Sequence, residues 1–481
     1  MTSTGAPPEA APSPLVSLFG NGLAYSVATA IQAATALLVL PAVTRLVRDA
    51  NEFGTIAAAL VVLQLVSTFA ALGLPAAITR EYFDSAGTRQ VAARLVGSTG
   101  LLALTIALVV HLSGPWWSRA FENLEYDGPL VWAVVAVVPT SILSASQALL
   151  RCRERPTAFV VSTVVGTAGA QILGLTLVYL GDGSASEFFV GFFAGVTLGA
   201  LLAVRASGFA SLRPAPAGTL MSALRLSVPS LPHSFALLLI LAADRIVVER
   251  FEGLAAAGSY QLTYVIGAAG VSLLVAVNNA WVPLVYNIED DGKRWAALAE
   301  TTESLSRFGF LIVSGLAFGA PWFLRLAAPP SLDQETLNSV LVVTSLTIVP
   351  YTMYLAASMV IFYERRTGLL AVITPTAAAL NLTANLFVVP RAGLLGAAVV
   401  SLLSYVFLAA LSLSASSTLA RVPWRKRSHR RTAAAAMVVV LSALIIPTDG
   451  TSWLLLRAVV MVVSGVALAF GVRRTLIKAD P

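Results

Sequence analysis

Residues 69–84 read FAALGLPAAITREYFD, and Arg80 stands there at the end of a nearly uncharged run, just after Pro75 and directly before Glu81. An arginine so placed is either an anchor holding a helix end at a membrane surface or part of the mouth of a binding cavity. Its planar, permanently charged donors match phosphate oxygens in pairs. Other polar residues recur at helical spacing within apolar sequence. Asn21, Tyr25, Thr29 and Gln32 share one face, as do Thr140, Ser144, Gln147 and Arg151, and Thr347, Tyr351, Tyr354 and Ser358. Such stripes either hydrogen-bond to neighbouring helices or line a polar cavity. His233 and Asp244 lie close to three full turns apart, and Arg245 follows the carboxylate. Ionisable groups in apolar sequence are costly, so His233 and Asp244 are candidates for coupling. Their structural alternatives are a hydrogen bond near Pro229 and Pro232 and an ion pair at a helix end. Tyr264 and Asn278 also share a face. Asn381 and Asn385 are one turn apart, a spacing suited to helix–helix contact, and the sequon at Asn381 is buried in a span.

These residues need a membrane to position them. The 481 residues are 57% hydrophobic and 11% charged, with a mean hydropathy of +0.82; soluble domains are about a quarter charged. Apolar stretches of roughly 20 residues recur from Leu15 to Gly471, about fourteen in all. The expected fold is an all-α polytopic membrane protein. The connectors are too short to fold as soluble domains. Residues 1–14, MTSTGAPPEAAPSP, lack the basic region of a cleaved signal peptide and read as a disordered cytoplasmic tail. Cys152 is the single cysteine, which excludes an internal disulfide and any multi-thiolate metal site. No metal or cofactor is expected.

Lys and Arg near span ends accumulate on the cytoplasmic side. With the N-terminus inside, the great majority of the 31 basic residues fall on one set of connectors, most densely at Arg421, Arg425, Lys426, Arg427, Arg430 and Arg431. Both termini are then cytoplasmic. The formal net charge of +7 reflects topology and does not point to nucleic acid.

Two parts of the chain share one plan. VPTSILSASQALLRCRERP (138–156) has a counterpart in VPYTMYLAASMVIFYERRT (349–367), and LGLPAAITRE (72–81) in NAWVPLVYNIE (279–289). RDANEFGTIAAALVVLQLVS (48–67) likewise resembles EGLAAAGSYQLTYVIGAAGVSL (252–273). Pro75 and Pro283 are separated by nearly the same interval as Pro139 and Pro350. The expected organisation is an N-terminal six-helix bundle over 15–205, a second over 222–416, and two additional helices over 431–472. Paired bundles of equal polarity commonly enclose a central cavity and alternate its access by rocking.

The segments EFGTIAAALVVLQLVSTFAALGLPAAITRE, ADRIVVERFEGLAAAGSYQLTYVIG and NLFVVPRAGLLGAAVVSLLSYVFL carry a family resemblance over nearly the whole chain. It resembles a polysaccharide (Wzx-type) flippase of the multidrug/oligosaccharidyl-lipid/polysaccharide exporter superfamily. The resemblance implies a central cationic cavity lined by spans 1, 2, 7 and 8 that takes the sugar–pyrophosphate head of a polyprenyl-linked oligosaccharide. On it, Arg45, Arg80 and Arg245 are the pyrophosphate contacts, while Asn21, Tyr25, Gln32, Tyr264 and Asn278 meet sugar hydroxyls. It also implies the bacterial cytoplasmic membrane, with a polysaccharide polymerase and glycosyltransferases of the same pathway as partners. Span 1 has no charged residue before Arg45, which ranks a lipid II flippase and a multidrug/cation antiporter of the same fold below the Wzx-type reading. A membrane polymerase or glycosyltransferase would need catalytic groups in a sizeable outer loop. The outer loops near 113–128 and 327–336 are short and lack histidine, so the expected protein is not an enzyme.

Overall fold

The computed structural model describes residues 31, 34–47, 49–84, 89–329 and 332–479. All regular structure among them is helical, as the apolar runs require: in lipid a helix satisfies its own backbone polar groups. The helices are α1 (Ala34–Leu46), α2 (Ala50–Ala70), α3 (Leu74–Asp84), α4 (Arg89–Leu112), α5 (Gly114–Trp117), α6 (Gly128–Cys152), α7 (Pro156–Val164), α8 (Ala170–Leu180), α9 (Ala185–Ser207) and α10 (Ala217–Ser227). They continue with α11 (Leu231–Glu252), α12 (Leu254–Gly267), α13 (Ala269–Tyr286), α14 (Asp291–Ala327), α15 (Gln334–Ser345), α16 (Ile348–Tyr363), α17 (Thr367–Leu419), α18 (Lys426–Ile445) and α19 (Thr451–Ala479).

Ten of the described helical stretches are long and apolar enough to cross a membrane, or eleven with the bent pair α12–α13. The count of about fourteen is therefore not reached by length and composition alone. Three local features account for the difference. Two expected spans lie within α17 and meet at a non-helical kink at Gly393 (φ 52°, ψ −144°), a conformation that favours glycine. Only the part of the first stretch in α1 is described, and α18 opens with the polar run KRSHRR.

Helices α2, α4, α6, α8 and α9 pack among themselves, and so do α11, α12 and α14–α17. The first group meets the second chiefly where α2 crosses α11 and α12. α18 and α19 pack on α14. Arg457 of α19 is fully buried there and donates to the carbonyls of Ala443 (2.6 Å), Ile446 (2.6 Å), Pro447 (3.2 Å) and Ala317 (3.4 Å).

Candidate functional site

Between α1, α2, α6, α8 and α9 on one side and α11–α13 on the other lies a cavity of about 970 Å³. It is at the upper end of the size range of small-molecule sites. Two helix irregularities shape its walls. Val165–Gly169 forms a π-helical turn joining α7 to α8, and Gly166 there lies so close to α9 that a Cβ on Gly199 would fall 2.4 Å from the Gly166 backbone. This turn presents Thr167, and Gln171 follows it on α8. Opposite, α12 and α13 meet at a 51° bend flanked by Gly267 and Gly270, which press on Thr344 and Ile348. Tyr264, Ala268 and Ser272 face the cavity around this bend.

The wall from the first group carries neutral hydrogen-bonding side chains: Gln64 and Thr68 of α2, Thr140, Ser144 and Gln147 of α6. Of the stripe expected on span 4, Thr140, Ser144 and Gln147 line the cavity, although Gln147 also donates to Thr163 at 2.9 Å, whereas Arg151 lies outside the lining, 5.5 Å from the centre of the Phe159 ring. Gln64, Ser67 and Thr68 escaped the sequence reading, though their i, i+3, i+4 spacing is the same kind of signal. Gln171, Gln261 and Ser272 were missed as well.

Among the described residues Arg245 is the sole charged side chain lining the cavity. It is 6% exposed, and its guanidinium lies 4.3 Å from the centre of the Tyr264 ring. Its Nη1 donates to the Leu241 carbonyl of its own helix, and its Nε has no acceptor. No carboxylate among the described ion pairs neutralises it. The neighbouring Asp244 points the other way: it is fully buried and accepts from Tyr260 (2.6 Å) and Ser401 (2.5 Å) through Oδ2, while Oδ1 has no partner. The two form no interfacial ion pair; one faces the cavity and one the packed interior. His233 contacts Thr374 of α17 at 3.1 Å. The spacing therefore does put His233 and Asp244 on one face, and that face packs against α17.

The remaining candidates are scattered. Arg45, exposed at the end of α1, donates to the Leu326 carbonyl in the last turn of α14 at 2.7 Å. Arg80 lies on α3 and is exposed. Asn278 is half-buried on α13, with Oδ1 lacking a partner. Asn21, Tyr25 and Gln32 fall outside the described residues.

At the helix ends assigned to the outer side, the two groups of helices are tied together. Gly54 of α2 meets α12 so closely that a Cβ would fall 1.8 Å from the Leu254 carbonyl oxygen, and Gly258 packs back on Gly54. Thr44 donates to the Ala327 carbonyl at 2.6 Å. The buried Glu249 carboxylate at the end of α11 accepts from the backbone amides of Glu122 (3.2 Å) and Asn123 (2.8 Å). Asn123 returns a bond to the Glu249 carbonyl at 3.3 Å.

Residues 18–289 match the family described as "Polysaccharide biosynthesis protein". The chain belongs to this family. No curated protein matches it in sequence. Its fold is similar to that of lipid II flippase MurJ in an inward closed conformation, with a TM-score of 0.70 and 13% identity, covering 94% of this chain and 99% of that one. It is also similar to an inward-facing multidrug resistance MATE family transporter of the MOP superfamily, with a TM-score of 0.64, 13% identity, and 82% and 95% of the two chains covered. A MOP superfamily transporter from Pyrococcus furiosus gives a TM-score of 0.58 at 12% identity, over 83% and 95%. At these identities the likeness concerns the fold. Family and fold together bear out the resemblance to Wzx-type flippases of this superfamily, and the protein is a multi-pass membrane protein of a transporter fold.

Proposed function

We propose that the protein moves a polyprenyl-pyrophosphate-linked oligosaccharide from the inner to the outer leaflet of a bacterial cytoplasmic membrane, for cell-surface polysaccharide biosynthesis. The observation that carries this reading is Arg245: a nearly buried guanidinium with no carboxylate partner among the described ion pairs, set in the wall of a large cavity whose mostly apolar lining is interspersed with amides and hydroxyls. An uncompensated buried charge is costly, and an anionic ligand offsets that cost. Phosphate oxygens match its donors, and the neutral wall across the cavity suits sugar hydroxyls. In this reading residues 15–205 and 222–416 act as two bundles that rock about the cavity, with the termini in the cytoplasm. Tyr264 holds Arg245 against its ring, and the polar positions of span 1 and Asn278, which lies outside the described cavity lining, are the further candidates for sugar contacts.

Asp244 is the better coupling candidate of the two, because its buried Oδ1 has an unmet capacity for a proton or cation, whereas His233 is held by Thr374. The membrane potential also drives outward movement of a negative head, at about 2.3 kcal/mol per charge per 100 mV.

The test is flipping of a fluorescent lipid-linked oligosaccharide by purified protein in liposomes. Translocation without covalent change is expected, and hydrolysis or elongation of the glycan would replace this reading with an enzymatic one. In the same assay Asp244→Asn, which keeps size and hydrogen bonding, is expected to remove the response to an imposed cation or proton gradient. An unchanged response would dissociate Asp244 from coupling.

A further inference from the structure

The densest concentration of positive charge lies away from the cavity, where α14 meets the start of α18. A second pocket there, of about 480 Å³, is lined by Glu303, Arg307, Arg425, Lys426, Arg427, Ser428 and Arg431. It shares no lining residue with the central cavity. From its geometry we propose that it binds the phosphate headgroup of an anionic phospholipid in the basic-side leaflet.

The pocket is organised around one carboxylate. Glu303 is 5% exposed and accepts from Arg307 Nη2, Arg425 Nη1 and Ser428 Oγ, each at 2.6 Å. These bonds fix two guanidiniums while leaving their other N–H groups turned outward, with the two side chains 66% and 57% exposed. Lys426, Arg427 and Arg431 are exposed, and their side chains make no described hydrogen bond or ion pair. Five cations thus surround one carboxylate. A buried acid that aligns arginines is more than the positive-inside rule requires, since any solvated lysines would satisfy that rule.

The helix itself adds a second argument. The first turn of α18 contains no acidic residue, and Arg425 at its N-cap makes no side-chain cap bond. Basic residues at a helix N-terminus oppose the positive end of its dipole. One carboxylate, Glu303, offsets only part of this charge, and a phosphate would offset more of it through charge-assisted hydrogen bonds from the guanidiniums. The lipid character follows from what comes next along α18. Directly after the basic turn the helix becomes apolar, and Met437, Val438, Leu441 and Ile445 are exposed, from 44% to 80%. A headgroup seated on Arg425–Arg431 would lay its acyl chains along this face. Trp424 lies beside it in sequence, as expected at a membrane interface. A basic pocket between spans on the cytoplasmic side is a typical anionic-lipid seat.

The experiment uses the full chain in detergent, and native mass spectrometry counts retained lipids after exposure to equimolar phosphatidylglycerol and phosphatidylcholine. Wild type is expected to retain phosphatidylglycerol in clear preference. The Arg307→Gln, Arg425→Gln, Arg431→Gln triple variant should lose about a hundredfold in that preference, at roughly a factor of five per arginine. Arg427→Gln alone, which breaks no described contact and should leave folding unaffected, should lose about fivefold. The corresponding triple lysine variant keeps the net charge and should recover most of the preference. Equal retention of the two lipids by wild type, or an unaltered preference in both glutamine variants, would overturn the proposal. So would protection of the pocket arginines from glyoxal modification by millimolar inorganic phosphate as complete as that given by phosphatidylglycerol vesicles, since the site would then recognise free phosphate.

Discussion

The end of the central cavity assigned to the outer side and its basic end are held in different ways. At the outer end, α2 and α12 touch backbone to backbone at Gly54 and Gly258, and Glu249 locks α11 to the loop before α6. Every described hydrogen bond between the two groups of helices lies at this end. At the basic end, α3 and the linker helix α10 pack on each other, and α3 carries Arg80 into an exposed position. The difference teaches that one end is closed by contacts between elements, whereas the other is furnished with charge.

The comparison breaks most completely at Gly54. Any side chain there must push α2 away from the Leu254 carbonyl, so Gly54→Val is expected to abolish flipping and open the outer end. Cys152 is buried and the sole cysteine, so a Cys152→Ser background with Val43→Cys as a cavity reporter gives a clean readout. Outside labelling by an impermeant maleimide should rise at least about tenfold. Should Gly54→Val not insert, the milder Gly258→Ala is expected to raise labelling by a smaller amount.

Next comes Arg245. Its replacement by Ala removes the charge that faces the cavity, and loss of a charge-assisted hydrogen bond of about 1.5–3 kcal/mol corresponds to roughly a ten- to hundredfold loss of flipping. Arg45→Ala should cost only a few fold, because its Leu326 bond is exposed. Equal effects of the two would show that both act at the outer closure and neither in the cavity.

A smaller shift is expected from Glu249→Gln, which keeps the shape but weakens two bonds from backbone amides. Outside labelling of the same reporter should increase about tenfold, with flipping reduced but not lost. No change would mean that the glycine crossing alone sets the closure. The smallest effect belongs to Arg80→Lys. Solvent screening at this exposed site limits the loss to about two- to threefold in the lipid concentration for half-maximal flipping. Wild-type dependence would return Arg80 to the role of an interface anchor.

How much of this was legible in the sequence depended on where the information lies. Helical periodicity marked Thr140, Ser144 and Gln147, because successive turns of one straight helix face one way. It also aligned His233 with Asp244, and both reach α17. The same rule could not foresee that Asp244 and Arg245, adjacent in sequence, would serve opposite faces of α11, since that depends on which neighbour packs where. Arginine as a residue type did not distinguish Arg245 from Arg45, whose direction is set by the last turn of a helix and by a carbonyl far along the chain. The Glu249 lock left no trace at all on the donor side, because its donors are main-chain amides of Glu122 and Asn123. The glycine crossing was partly visible: EFGTIAAA and GLAAAGSY, already matched as repeat counterparts, place small residues on both partners. Length and composition do not confirm the count of about fourteen at Gly393, where two expected spans meet at a non-helical kink and register as one stretch.

Arg457 has a consequence for how the chain is assembled. Its guanidinium donates to three carbonyls at and just beyond the end of α18 and to Ala317 of α14, so α19 alone would enter the bilayer with a bare cation. Insertion of a lone arginine into a span is costly. The last helix is thus suited to enter as a hairpin with α18, against an α14 already in place. During synthesis this makes docking of the terminal pair a checkpoint: it succeeds only on a correctly inserted predecessor.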